Sequence, residues 1–176
     1  MSEQADYHQR DDQRGKSIAD YWPLMVLIAI AILAALALKS GLNMAPMAGM
    51  HFYMGIALCL FAMLKLFDLS GFRDGFAMYD LVTKRFSYYA WMYPFIELLL
   101  GLSYLAFFAP VLTYLLTIVV FGVGTLGVYR ALQNNIDIYC PCMGSVLKVP
   151  LSTVSLIEDV SMVVMAVLML LTRIFF

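Results

Sequence analysis

Val111-Leu-Thr-Tyr-Leu-Leu-Thr-Ile-Val-Val-Phe-Gly-Val-Gly-Thr-Leu-Gly-Val-Tyr129 runs nineteen residues without a charged side chain. A helix rises about 1.5 Å per residue and bilayer hydrocarbon is ~30 Å thick, so about 20 apolar residues cross it. The stretch therefore predicts a membrane-spanning helix. It also contains Gly122-Val-Gly124-Thr-Leu-Gly127, which satisfies the dinucleotide-binding pattern G-x-G-x-x-G. That fingerprint works only between a strand and a helix of a parallel sheet. Inside an apolar span the same glycines permit close helix packing, and Gly55 and Gly101 are expected to serve the same end.

Working outward, Pro110 separates this span from Ser87–Ala109, whose one charge is Glu97. Proline interrupts a helix, so the two spans read as an antiparallel pair joined tightly at Ala109-Pro110. Three further runs qualify: Trp22–Leu38, bounded by Lys39; Phe52–Leu69, with Lys65 and Asp68 near its far end; and Leu151–Thr172, with Glu158 and Asp159. The 176 residues are 63% hydrophobic and 13% charged, more apolar surface than a soluble domain of this length can hide. The predicted fold is all-α: a polytopic membrane bundle of five transmembrane helices over residues 22–176, preceded by a polar, flexible tail over residues 1–21. The tail lacks a positive n-region and an A-x-A cleavage site, so the first span reads as a retained helix. A net charge of −1 excludes a basic surface for nucleic acid.

Gly71–Phe86 is too charged to cross. Phe72, Phe76, Tyr79, Val82 and Phe86 recur every three or four residues, as in an amphipathic helix lying in the headgroup layer. Basic residues orient the chain. With the N-terminus inside, Arg10, Arg14, Lys16, Lys65, Arg73, Lys84, Arg85, Arg130 and Lys148 lie on the cytoplasmic side, against Lys39 and Arg173 outside. The positive-inside rule then predicts N-in and C-out, with the loop before the last span in the cytoplasm.

That loop carries Cys140-Pro141-Cys142-Met143-Gly144. Two thiols in C-x-C can close a strained, easily reduced disulfide. As thiolates they can instead bind a soft ion such as Cu(I), with Met143 as a weak third ligand. Two loop thiols without a task are the plain alternative. The third cysteine, Cys59, sits mid-span as a small hydrophobe. No second dithiol exists in the chain, so a complete electron relay requires a partner or a bound cofactor.

Intramembrane acids face the bundle interior or water. Helix rise places Glu97 and Glu158 at similar depths, with Lys65 at the same end, so the three can cluster beneath the cysteine loop. Such a cluster exchanges protons during thiol chemistry, compensates a cation, or is a structural ion pair. Asp159, adjacent to Glu158, is not expected to share its face and reads as structural. In the loop between the first two spans, Met44-x-x-Met47-x-x-Met50-His51 offers thioethers and an imidazole that suit Cu(I). Methionines also fill gaps in membrane packing, and a lone histidine at a helix start is usually interfacial.

Lys65-Leu-Phe-Asp68, the segment Phe72 to Val82, Pro94-Phe-Ile-Glu97-Leu-Leu-Leu-Gly101 and the C-x-C-x-G loop together resemble the MauE branch of the DoxX-like membrane proteins, over about residues 50 to 172. Members often carry Cys-Gly-Cys-Phe-Gly in the loop, where this chain has proline at 141 and methionine at 143. The resemblance implies a four-helix core plus an N-terminal helix, in a redox-associated protein of the bacterial cytoplasmic membrane. It implies a role, with a thioredoxin- or glutaredoxin-like partner, in maturing or exporting a disulfide-containing client. In methylamine users that client is the small subunit of methylamine dehydrogenase. Cys140 and Cys142 would carry the redox role and Glu97 the intramembrane acid. The expectation is an accessory thiol-disulfide protein more than a stand-alone enzyme, with Lys65 and Glu158 assisting. The rival is a Cu(I) carrier that uses Met44, Met47, Met50 and His51 outside and Cys140, Cys142 and Met143 inside. A third reading is a structural membrane partner that recruits a soluble protein through the amphipathic segment.

Overall fold

A computed structural model describes residues 22–80, 82–83, 85–86, 88–133 and 151–175. Among these it contains six helices and no strand: α1 (Trp22–Gly41), α2 (Pro46–Phe67), α3 (Leu69–Tyr79), α4 (Tyr88–Leu105), α5 (Pro110–Gln133) and α6 (Leu151–Phe175). Leu24–Gly41, Pro46–Phe67 and Pro110–Arg130 are long and apolar enough to cross a membrane.

Prolines set two of the starts. Pro46 and Pro110 open α2 and α5, where a missing N–H costs nothing and a fixed φ favours the first turn. Because α2 begins at Pro46, Met47, Met50 and His51 lie on its first turns and only Met44 stays in the connection. This differs from the loop placement expected for all four from sequence. The turns at this end close as Schellman motifs. After α1, Asn43 N donates to Ser40 O at 3.3 Å and Met44 N to Lys39 O at 3.1 Å. After α4, Phe107 N donates to Tyr104 O at 3.3 Å and Phe108 N to Ser103 O at 3.0 Å. The left-handed residues of these motifs are Asn43 (φ 49°) and Phe107 (φ 51°), and Ala109 before α5 is a third (φ 39°). Asparagine tolerates that region; phenylalanine does so at a cost of roughly 1–2 kcal/mol, offset by stacking on His51 at 4.6 Å between centroids and edge contact with Phe52 at 5.5 Å.

Helix α2 packs on α4, α5 on α6, and α1 along α2. The α2–α4 crossing is close because it runs over glycine. A Cβ at Gly101 would lie 2.9 Å from Cys59 Sγ and 3.0 Å from Gly55 O, and one at Gly55 would lie 2.6 Å from Leu105 Cγ. Gly122 has nothing within 4 Å of such a Cβ, so of the glycines read as packing contacts this one is not used that way. Met54, Leu58, Leu100, Phe121, Met162, Ala166 and Met169 fill the middle of the bundle. Outward-facing large apolar side chains recur along α4 (Met92, Phe95, Leu99, Leu102), α5 (Leu112, Leu115, Leu116, Val119) and α6 (Val160, Val164, Leu168, Leu171). A water-soluble bundle would not expose such continuous stripes.

The amphipathic segment is shorter than its hydrophobic spacing predicts. Helix α3 ends at Tyr79, and Phe86 is exposed. The stop is local: Asp80 turns extended and its Oδ2 accepts a hydrogen bond from Thr83 N at 2.6 Å.

Candidate functional site

Lys65 stands in the last turn of α2, where sequence alone would let its ammonium snorkel to water. It turns inward instead. Its Nζ donates to Glu97 Oε1 at 2.8 Å and Oε2 at 2.6 Å, with 2% and 0% of the two side chains exposed. The covering element is α3. Asp68 ends α2 and caps α3, its Oδ1 accepting from Gly71 N at 3.0 Å. A side chain at Gly71 would collide with that carboxylate, so glycine is what lets the cap close. The reversal lays Phe72 and Phe76, both buried, over the end of the bundle. Their rings meet Tyr93 at 5.9 and 4.7 Å. The Lys65 ammonium then lies 5.8 Å from the Phe72 centroid and 5.2 Å from that of Tyr93, in cation–π range. A bidentate carboxylate and two aromatic faces replace its hydration shell.

Tyr93, Glu97, Leu100, Gly101 and Tyr104 follow one another at helical spacing on the buried side of α4. On α6, Glu158 and Asp159 are both buried, although they are adjacent and were expected to face apart. The reason is position: α6 contacts both α5 and α2, so side chains about 100° apart around the helix each meet protein. Asp159 lies against α5 where Gly124 leaves room. A Cβ there would sit 3.1 Å from Asp159 Oδ2 and 3.9 Å from the Tyr93 hydroxyl. Asp80, also buried, lies within electrostatic range of Asp159 and Tyr89. Lys65, Asp80 and Glu97 thus lie within electrostatic range of Asp159 at one end of the bundle, with Glu158 next to Asp159 in α6. By helix direction this is also the end where the chain leaves α5 at Gln133 and enters α6 at Leu151.

The turn end holds a second polar group. His51 Nε2 and the Tyr114 hydroxyl share a hydrogen bond at 2.5 Å, both residues being buried. The Tyr104 hydroxyl donates to Thr117 Oγ1 at 3.2 Å, and Thr117 Oγ1 donates to Thr113 O at 2.8 Å. His51 is therefore a cross-brace between α2 and α5, with its Nε2 engaged. Met44 and Met47 are exposed, while Met50 packs against the core. Among the described residues no three His, Cys, Asp or Glu side chains group in a way that could hold a metal ion.

Of the residues the sequence pointed to, Lys65 and Glu97 meet directly, and Glu158 is buried on α6. Cys140, Cys142 and Met143 lie outside the described residues. Tyr93 and Asp159 were not singled out for chemistry. Tyr93 is four residues before Glu97, hence on its face, a signal that was present and unread. Asp159 read as structural, because only the seating of α6 between two helices encloses both adjacent acids.

The family model described as "Methylamine utilisation protein MauE" matches residues 25–172. No curated protein and no solved structure matches the chain.

Proposed function

The chain belongs to the MauE family of methylamine utilisation proteins, and from that premise we propose that it is an accessory thiol-disulfide redox protein of the bacterial cytoplasmic membrane. In this reading α4 and α6 cross the membrane together with α1, α2 and α5, giving five spans. The apolar stripes on the outer sides of α4 and α6 support it. The preponderance of basic residues at the α3 end supports a cytoplasmic placement of that end and of the N-terminus.

Cys140 and Cys142 form the working pair. On oxidation the two thiols lose two protons and two electrons as the S–S bond forms. The electrons go to the disulfide of a thioredoxin- or glutaredoxin-like partner, which becomes a dithiol. The client is a disulfide-containing exported protein, the small subunit of methylamine dehydrogenase where the organism uses methylamine.

The observation that carries the reading is the enclosed ion pair of Lys65 and Glu97 at the end where the cysteine loop emerges. Intramembrane ionisable groups are costly and occur where charge or protons are handled. Copper carriage draws no support from the turn end, where His51 Nε2 is held by Tyr114 and Met50 packs against the core while Met44 and Met47 are exposed.

Thiol trapping in native membranes tests the proposal in a Cys59→Ala background. After diamide, both Cys140 and Cys142 become resistant to maleimide, and dithiothreitol restores both together. If both thiols stay alkylatable after diamide, the redox reading is wrong. Impermeant maleimide labels them in inverted vesicles and not in intact spheroplasts; the opposite pattern reverses the orientation.

A further inference from the structure

His51 lies in the second turn of α2, 6% exposed, with aromatic rings on three sides. Phe107 stacks on it at 4.6 Å between centroids, Tyr104 meets it edge to face at 5.7 Å, and Tyr114 lies at 5.5 Å. Its Nε2 shares the 2.5 Å hydrogen bond with the Tyr114 hydroxyl. Its Nδ1 is enclosed without a well-formed hydrogen bond, although the Tyr104 backbone lies beside the ring.

These partners assign the protons. The buried Tyr114 hydroxyl has no other hydrogen-bond partner among the described residues, so it donates to Nε2. Neutral His51 then carries its own hydrogen on Nδ1. A further proton can enter only at Nε2, where the phenol hydrogen already occupies the gap. Tyr114 would have to turn that hydrogen into an enclosed space without an acceptor, and a buried donor left unmet is costly. The titratable groups facing the ring are Tyr104 of α4 and Tyr114 of α5. Arg173 of α6 is within electrostatic range, and Lys39 of α1 reaches α2 beside Gly49. Both charges are positive, so neither offers an imidazolium a counter-ion. The backbone that this ring supports is strained. Phe107 (φ 51°) and Ala109 (φ 39°) hold left-handed conformations in the α4–α5 turn, which residues with a Cβ adopt at a cost. Phe107 N closes the turn on the Tyr104 carbonyl by a long bond of 3.3 Å. That carbonyl is also the acceptor that the Nδ1–H of an imidazolium, a stronger donor, would engage.

We propose that His51 is a proton-operated latch on the α4–α5 turn. Neutral, it accepts from Tyr114, and its ring seats Phe107 in the left-handed position. On taking up a proton from water it loses the Tyr114 bond and draws the Tyr104 carbonyl from Phe107 N. The turn then relaxes toward ordinary backbone, and α2 and α5 part at this end. Two packings of one short segment, biased by the charge on a single histidine, are all that such a switch requires. The acidity it senses is that of the compartment at the turn end, opposite α3. The latch is independent of the thiol-disulfide reading above.

Solid-state NMR of the full-length chain in nanodiscs tests this, with His8→Gln leaving His51 as the only histidine. Between about pH 8 and about pH 4, the ring nitrogen-15 signals pass from the neutral Nδ1–H form to imidazolium. The Phe107 and Ala109 Cα carbon-13 shifts leave their left-handed values with the same midpoint. Tyr114→Phe raises that midpoint by about one pH unit, the equivalent of one lost hydrogen bond, and the turn signals move with it. His51→Phe keeps an aromatic ring against Phe107, and its turn signals ignore pH. A ring that stays neutral across the range, or one that becomes imidazolium while both turn signals stay put, overturns the proposal. So does a midpoint unchanged or lowered in Tyr114→Phe. A turn that still responds to pH in His51→Phe assigns the response to another group and overturns it equally.

Discussion

Cutting one side of the Lys65–Glu97 pair should be far more damaging than removing both. At the observed separations of 2.6 and 2.8 Å, unit charges attract by roughly 6 kcal/mol at an effective dielectric constant near 20. Most of that offsets the desolvation of two side chains that are 2% and 0% exposed. The whole pair is therefore expected to be worth little net, whereas one stranded charge costs about 3–5 kcal/mol. Lys65→Met leaves the Glu97 carboxylate without its cation. Glu97→Leu removes the bidentate carboxylate from an ammonium that lies beside the Phe72 and Tyr93 rings. The double variant, with two side chains of similar volume, should return to within about 1–2 kcal/mol of wild type. Reversible unfolding in mixed micelles, titrated with dodecyl sulfate, gives the four free energies of a double-mutant cycle. A coupling energy of roughly 3 kcal/mol or more is expected. Single variants that each lose less than about 1 kcal/mol, with additive effects, would refute the claim that the pair is dry and mutually dependent.

Four other expectations follow from packing and hydrogen bonding. Gly101→Val forces Cβ atoms into Cys59 and the Gly55 carbonyl and should cost about 1–3 kcal/mol. Gly122→Ala meets open space and should be neutral or stabilise by up to ~1 kcal/mol; the same dodecyl sulfate titration distinguishes them. Tyr114→Phe removes the partner of His51 Nε2 and should cost about 1–3 kcal/mol, read as a lowered melting temperature, while exposed Tyr129→Phe leaves it unchanged. Asp68→Ala deletes the α3 cap at about 0.5–2 kcal/mol. Amide exchange should then rise over Leu69–Tyr79 and stay unchanged in α5; uniform exchange would show that α3 is held by other contacts.

The helices were legible because an uncharged run near twenty residues is itself the physical requirement for crossing lipid. The same physics made the faces illegible. In water, apolar residues mark the inward side of a helix; in lipid both sides are apolar. The inward side is marked instead by small and polar groups, as at Gly55, Gly101 and Glu97. Phe72 and Phe76 were read as the membrane-facing edge of a surface helix, and they are buried against Tyr93. His51 was read as interfacial or as a soft-metal ligand; its partner is sixty-three residues away, beyond any local pattern.

The amino-acid order alone determined that the chain is helical and rich in long apolar runs, three of which form helices able to cross a membrane, and that the C-x-C pair falls between the last two of those runs. Tertiary structure alone decided that Lys65 turns inward to a carboxylate thirty-two residues distant, and that both acids of α6 are enclosed. A charge in a low-dielectric interior survives only where a neighbouring helix brings its counter-charge or hydrogen-bonding group. Which helices are neighbours is settled by how the glycine-lined crossings pack.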